Sequence, residues 1–219
     1  YRPYSQGDPL EADERPTESA KHTVFPRGEA LFTFRKQGNP ESPDNRKLEL
    51  DEAVEPGPAV VFGALSCDAR GFFAFDPVYD GSGTNGQAKD VYYLKRRAQT
   101  AFIVRACKSA LATCFCHWVG GGPASSQGAD VLATDVTGGL LLQAFTEKGA
   151  SWLGSGKLAD ATDAQAREAE DAHAKVEQSM GEAPALADAS KALLSLFDKG
   201  DFWLGQSAGC LSCGACTFL

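Results

Sequence analysis

The sequence predicts an α/β protein: a mixed-sheet domain, a helical segment, and the start of a third, cysteine-rich unit. Three observations carry that prediction. Residues 59–65 and 101–105 are uninterrupted apolar runs of strand length, the pattern of strands buried on both faces in an α/β core. Residues 158–180 are Ala-rich and charged, with no Pro or Gly, and are expected to be helical. Cys210, Cys213 and Cys216 then crowd into the final residues at regular spacing.

Taken in order, residues 1–20 are rich in Pro, Asp, Glu and Ser, and predict an extended arm that needs a partner surface to be ordered. Residues 30–34 alternate apolar and polar side chains, as a short strand does. Residues 36–57 are polar, hold Pro40, Pro43 and Pro56, and predict mainly loop. The strand at 59–65 is closed by Cys67, and the strand at 101–105 by Cys107. Residues 129–134 and 139–145 predict two further strands, with a hairpin turn over 136–139. Asp163–Arg167 and Asp171–Lys175 sit at i,i+4 in the first helix, which Gly181 and Pro184 end. Residues 185–196 predict a second helix, with Leu186, Leu193, Leu194 and Phe197 at roughly helical spacing. Phe202 and Trp203 follow, then a Gly-rich entry to Cys210.

The chain has 219 residues, with 21 Lys and Arg against 29 Asp and Glu, a formal net charge of -8. That acidic balance, without a basic stripe, argues against a nucleic-acid partner. No apolar run approaches the roughly 18 residues of a membrane span. The chain is long enough to bury a core without disulfides, so the 7 cysteines call for another explanation. The start at Tyr1 lacks the charged and apolar regions of a leader. A chain rarely stops inside a ligand run, so a truncated end is expected, and a truncated start with it.

Cys210, Cys213 and Cys216 are spaced Cys-x2-Cys-x2-Cys, the first three positions of the bacterial ferredoxin run. The small residues Gly214 and Ala215 let backbone wrap closely around an iron–sulfur cluster, whose fourth ligand would lie beyond this chain. Zinc sites more often pair two short knuckles. Cys67, Cys107, Cys114 and Cys116 form a less regular quartet, expected at strand ends and in loops rather than in helices. Four thiolates would satisfy a [4Fe–4S] cluster, the favoured reading, or a structural zinc, and buried free thiols are the third possibility. Disulfides do not fit beside an oxygen-sensitive motif, which implies a reducing, cytoplasmic setting. The domain plan that follows is an arm over 1–20, an α/β cluster-binding domain over 21–156, a helical linker over 157–204, and the start of a two-cluster ferredoxin-like module over 205–219.

Around the quartet, His117 is a candidate substitute ligand, and backbone N–H groups near Gly120, Gly121 and Gly122 are candidate donors to cluster sulfur. Arg105 and Lys108 are candidate cations for raising a potential, and Asp68 for lowering it or anchoring its loop. Lys95, Arg96 and Arg97 form the one strong basic run, suited to an acidic partner, a phosphate or a solvated helix face. Gly81, Gly83 and Gly86 fit a dinucleotide fingerprint literally, but follow an expected turn rather than a strand. Phe72, Phe73, Phe75, Tyr92 and Tyr93 are expected in the core. No nucleophile–base set can be assembled, so no catalytic residue is assigned.

Several of these segments resemble one family. Residues 62–72, with Gly63, Cys67 and Asp68, are similar to the G-x-R-P-C-D motif of the beta subunits of soluble sulfhydrogenases, which the related anaerobic sulfite reductases share; Ser66 stands at the motif's Pro. Residues 92–97 followed by Phe102-Ile103-Val104 resemble its Y-x-x-R-R … F-I-V-G segment. Thr113-Cys114-Phe115-Cys116 with Gly120-Gly121-Gly122-Pro123 resembles its T-C-F-C loop, residues 129–135 its Y-D-L-L-L-T-D strand, and Glu147-Lys148-Gly149 its S-E-K-G. The resemblance runs in order from about residue 20 to the end. It implies an electron-transfer subunit of an anaerobic oxidoreductase, with [4Fe–4S] clusters on the quartet and on the C-terminal triplet. It also implies flavin and nicotinamide on a partner subunit only, and a catalytic metalloenzyme subunit, hydrogenase-like or sulfite-reductase-like, beyond. The competing reading is a zinc-stabilised interaction module with no redox role.

Overall fold

A computed structural model describes residues 5–8, 15–16, 18–38, 47–53, 57–84, 86 and 89–214. Among them the chain is mixed α/β, with two sheets. β1 (Phe32–Gln37) and β2 (Lys47–Glu52) form an antiparallel ribbon. β2 falls where a loop is expected. Its Leu48 and Leu50 alternate with charged residues, and that period of two is masked by the charge and the nearby prolines. The register puts Phe32, Phe34, Leu48 and Leu50 on one face, all more than half exposed.

The second sheet has the order β3 (Ala59–Leu65), β4 (Thr100–Arg105), β5 (Val131–Val136), β6 (Gly139–Ala144). β3, β4 and β5 run parallel, and β6 returns antiparallel through the expected hairpin. β4 is buried along its whole length, as its apolar run predicts. β3 is not: it lies at the sheet edge, and Val60 is exposed. An apolar run cannot by itself tell an edge from a centre. Phe72, Phe102, Val104 and Tyr93 form the core on one face, and Ile103, Val131 and Ala133 on the other.

α1 (Ser66–Tyr79) starts directly where β3 ends, a helix the sequence does not announce. It has no side-chain N-cap, holds Gly71 at its middle and carries Pro77 near its end, so the usual start and stop signals are missing. Phe72 is buried by it, but Phe73 is exposed, against expectation. α2 (Val91–Gln99) is capped by Asp90 and leads into β4. α3 (Glu147–Gly154) follows β6, and α4 (Asp163–Ser179) opens on a capping box made by Thr162 and Gln165. Ala169 and Val176 bury one stripe of α4, and contacts to β5 and β6 hold it on the sheet. α5 (Ala189–Ser195) is shorter than expected, and α6 (Gly200–Ser207) takes the place of the expected Gly-rich entry.

The connection between β4 and β5 decides what the fold can do. Parallel neighbours are usually joined through a helix. Here residues 106–130 contain only the short 3-10 turn Cys116–Val119. The ends are firmly held: Ala106 N–H donates to Ala133 at 3.0 Å, and Asp130 N–H to Phe102 at 2.9 Å. The buried Asp130 carboxylate accepts from Phe102 N–H at 2.9 Å and from the Thr146 hydroxyl at 2.6 Å. Gly128, at φ 79°, lets the crossover lie against α1, because a Cβ there would stand 2.1 Å from the Ala69 carbonyl oxygen.

Candidate metal centre

The quartet is assembled by strand register. Leu65 and Arg105 pair across β3 and β4. Cys67 and Cys107 each lie two residues further on, beyond the ends of the two strands, and the two thiols act on each other electrostatically. Cys67 enters α1 and sits in its first turn rather than in a loop. The Pro123 carbonyl accepts from Cys107 N–H at 2.9 Å and from the Ser66 hydroxyl at 3.2 Å. That one oxygen ties both strand ends to the far side of the crossover loop, which carries Cys114 and Cys116.

Within the loop, Cys114 Sγ accepts from Leu111 N–H at 3.3 Å, and Cys114 N–H returns to the Leu111 carbonyl at 2.9 Å. Gly120 takes the left-handed conformation at φ 77°, and Gly121 N–H donates to the Cys116 carbonyl at 2.9 Å. A Cβ on Gly121 would lie 2.9 Å from Arg70 Cδ and 3.2 Å from that carbonyl oxygen. The glycines therefore close the turn around Cys116. The N–H of Gly121 is spent on backbone rather than on sulfur.

The thiols feel one another. Burial, then the Asp68 carboxylate, then Cys107 and Cys116 push the Cys67 thiol up to about 11, although the residue keeps a solvent-exposed side. Burial raises Cys107 as well, with Cys114, Cys116 and Asp68 adding to it and the Arg15 cation opposing. Burial also raises Cys116, opposed by the backbone N–H groups of His117 and Cys116 itself and by the Arg70 cation. All four are free thiols. Four sulfur donors gathered on one sheet edge, three of them raised above the ordinary thiol value, are a set that a bound cationic centre would ionise. The donor chemistry thus fits a metal cluster. Among the described residues, no three His, Cys, Asp or Glu side chains close around a single ion-sized point.

Other expectations are redirected. Arg105 and Lys108 both engage Asp135, Lys108 at 3.4 Å, on the β5 side of Cys107. A cavity of about 410 Å³ opens there, lined by Cys107, Lys108, Asp135, His173 and Lys175 among others. The cations that face the thiols are Arg15 and Arg70, which spacing does not single out. Arg70 lies one helical turn after Cys67 and is held by Gln127 at 2.7 Å; Arg15 donates to Cys114 Sγ at 3.8 Å. The basic run of α2 is spent internally: Lys95 pairs with Glu52 at 2.8 Å, Arg96 with Glu29, and Arg97 with Asp76 at 3.3 Å. His117 packs edge-on against Trp118, and neither ring nitrogen has a hydrogen-bond partner. Gly81, Gly83 and Gly86 follow a helix rather than a strand. Cys210 and Cys213 are exposed beyond α6; Cys216 lies outside the described residues.

Over 179 residues, 80% of its length, the chain is 30% identical to sulfhydrogenase 2 subunit beta of Pyrococcus furiosus. Over that region the chain is a homologue of this sulfhydrogenase beta subunit. The matched region spans about half (50%) of that relative. No protein-family model matches the chain, and no solved structure does. No helix among the described residues is long and apolar enough to cross a membrane. That similarity agrees with the motifs around Cys67, Cys114 and Cys116, the segments that the fold brings to the same end of the sheet.

Proposed function

We propose that this chain is the iron–sulfur electron-transfer subunit of a multisubunit anaerobic oxidoreductase. It relays electrons between two partners: a flavin- and nicotinamide-type subunit, and a hydrogenase-like or sulfite-reductase-like catalytic subunit. The carrying observation is the helix-less crossover at 106–130. It delivers Cys107, Cys114 and Cys116 beside Cys67, and irregular connections of that length are usually functional. In this reading Cys67, Cys107, Cys114 and Cys116 hold one [4Fe–4S] cluster. Cys210, Cys213 and Cys216 are ligands of a second. The domain plan is an arm (1–20), a cluster-binding domain (21–156), a helical linker (157–204) and the start of a two-cluster ferredoxin-like module (205–219), in a reducing, cytoplasmic setting.

When bound, such a group accepts and releases one electron at a time. The protein's own residues do the rest without bond chemistry. The four cysteines ligate, the Pro123 staple keeps the two strand ends and the loop in one arrangement, and Arg15 and Arg70 offset the negative charge of four thiolates. The relative's name, a sulfhydrogenase subunit, supports a place in an assembly with partner chains.

Zinc is the alternative. Zinc would take the same four thiolates at about 2.3 Å each. Anaerobic purification followed by iron, zinc and acid-labile sulfide assay decides between them. The expected result is a brown protein with about four iron and four sulfide per complete cluster; zinc without sulfide would defeat the reading.

A further inference from the structure

Four thiolates around an iron–sulfur core leave net negative charge, and Asp68 beside Cys67 adds to it. An electron arriving there adds one more unit. The fold answers with a residue from the other end of the chain. Arg15, in the N-terminal arm, reaches across to the crossover loop with both arms of its guanidinium. Nη1 donates to Cys114 Sγ at 3.8 Å, and Nη2 donates to the Ser109 carbonyl. One side chain thus holds a candidate ligand and the backbone that carries it, a two-point grip that suits the planar fork of Arg better than the point charge of Lys.

We propose that Arg15 is a positioning residue that clasps the N-terminal arm onto the four-cysteine centre and raises its reduction potential. The inference rests on the reading of the quartet as a cluster site. The step is a single electron transfer: a reduced flavin of the partner, or dithionite in the test, loses one electron and the centre gains it. Arg15 takes up no proton, and no bond in the protein forms or breaks. The guanidinium stabilises the reduced form more than the oxidised one, because the reduced form carries one more negative charge.

The test uses the full-length protein, purified anaerobically as wild type, Arg15→Gln and Arg15→Lys. Iron and sulfide are assayed, and each protein is titrated with dithionite across a range of potentials while reduced clusters are read by paramagnetic resonance. The signal that survives Cys107→Ala serves as the internal reference. In Arg15→Gln, the ratio of reduced to oxidised four-cysteine centre should fall about tenfold at fixed potential, which is about 59 mV for one electron. Arg15→Lys should fall between Gln and wild type, and the reference signal should stay in place. Loss of the centre in Arg15→Gln but not in Arg15→Lys also supports the clasp. Identical titrations of Gln and wild type, equal displacement of both signals, or loss of the centre in both variants would overturn it. A wild type without iron at the four cysteines defeats the functional reading itself, and the iron assay tells that outcome from the others.

Discussion

The two cysteine sets of this chain are built by opposite strategies. The triplet Cys210, Cys213 and Cys216 is compact in sequence, and its described members are exposed beyond α6. The quartet is scattered over residues 67–116 and gathered by strand register, a staple at Pro123 and a glycine-closed turn. A local set needs only spacing to be recognised. A set assembled by tertiary structure depends on a core many residues away. The quartet should therefore fail whenever the sheet fails, and the triplet should not.

The largest effect separates the two sets by chemistry. Cys107→Ala should remove the iron and sulfide of one cluster and leave the triplet's signal, whereas Cys213→Ala should do the reverse. Anaerobic iron analysis with paramagnetic resonance reads both. If Cys107→Ala removed all iron, the two sets would not be independent and the comparison would break.

Next comes the dependence on the core. Phe102 is wholly buried at the centre of β4, its ring 4.7 Å from that of Phe72. Phe102→Ala should cost about 3–5 kcal/mol by truncating a packed aromatic. Denaturant unfolding followed by circular dichroism measures the loss. The quartet's iron should be released at the same denaturant concentration as the sheet unfolds, with the triplet's iron following a separate curve. A smaller loss is expected for Gly128→Ala. There a Cβ at positive φ would meet the Ala69 carbonyl and force the crossover off α1, at about 1–3 kcal/mol. Iron occupancy of the quartet should fall while β-sheet signal persists.

The same contrast explains what the sequence could disclose. Cys210, Cys213 and Cys216 are legible because their geometry is written in a few consecutive residues. β4 and the β5–β6 hairpin are legible for a similar reason: apolar runs and a turn are local signals. α1 is not, since its start carries no capping side chain and its stabilisation comes from Phe72 packed against Phe102 across the core. β2 is hidden by charge that its solvent-facing residues are free to carry. Arg15 and Arg70 are illegible for a deeper reason. Their role depends on where the arm and α1 come to rest, and Arg15 meets Cys114 from 99 positions away. Conversely, Arg105 and Lys108 stand within two residues of Cys107 in sequence, yet Asp135 of β5 engages both on the other side.

The smallest expected effect tests whether the quartet's flank, and not the triplet's, carries a pH dependence. His173 of α4 meets the Thr134 hydroxyl of β5 at 2.9 Å, beside the cavity that reaches Cys107. Burial lowers its pKa, with Glu170 opposing. The unfolded chain, with a histidine near its ordinary value of about 6.5, therefore binds a proton more readily than the folded one. The stability contributed by neutral His173 is present above that value and is lost as pH falls from it through the lowered folded value. Thermal unfolding of the sheet should thus shift to lower temperature as pH drops below about 6.5, and His173→Gln should flatten that slope. Glutamine keeps a group able to bond Thr134, so the comparison isolates the proton from the contact. A slope unchanged by the substitution would place the acid sensitivity at a group other than His173.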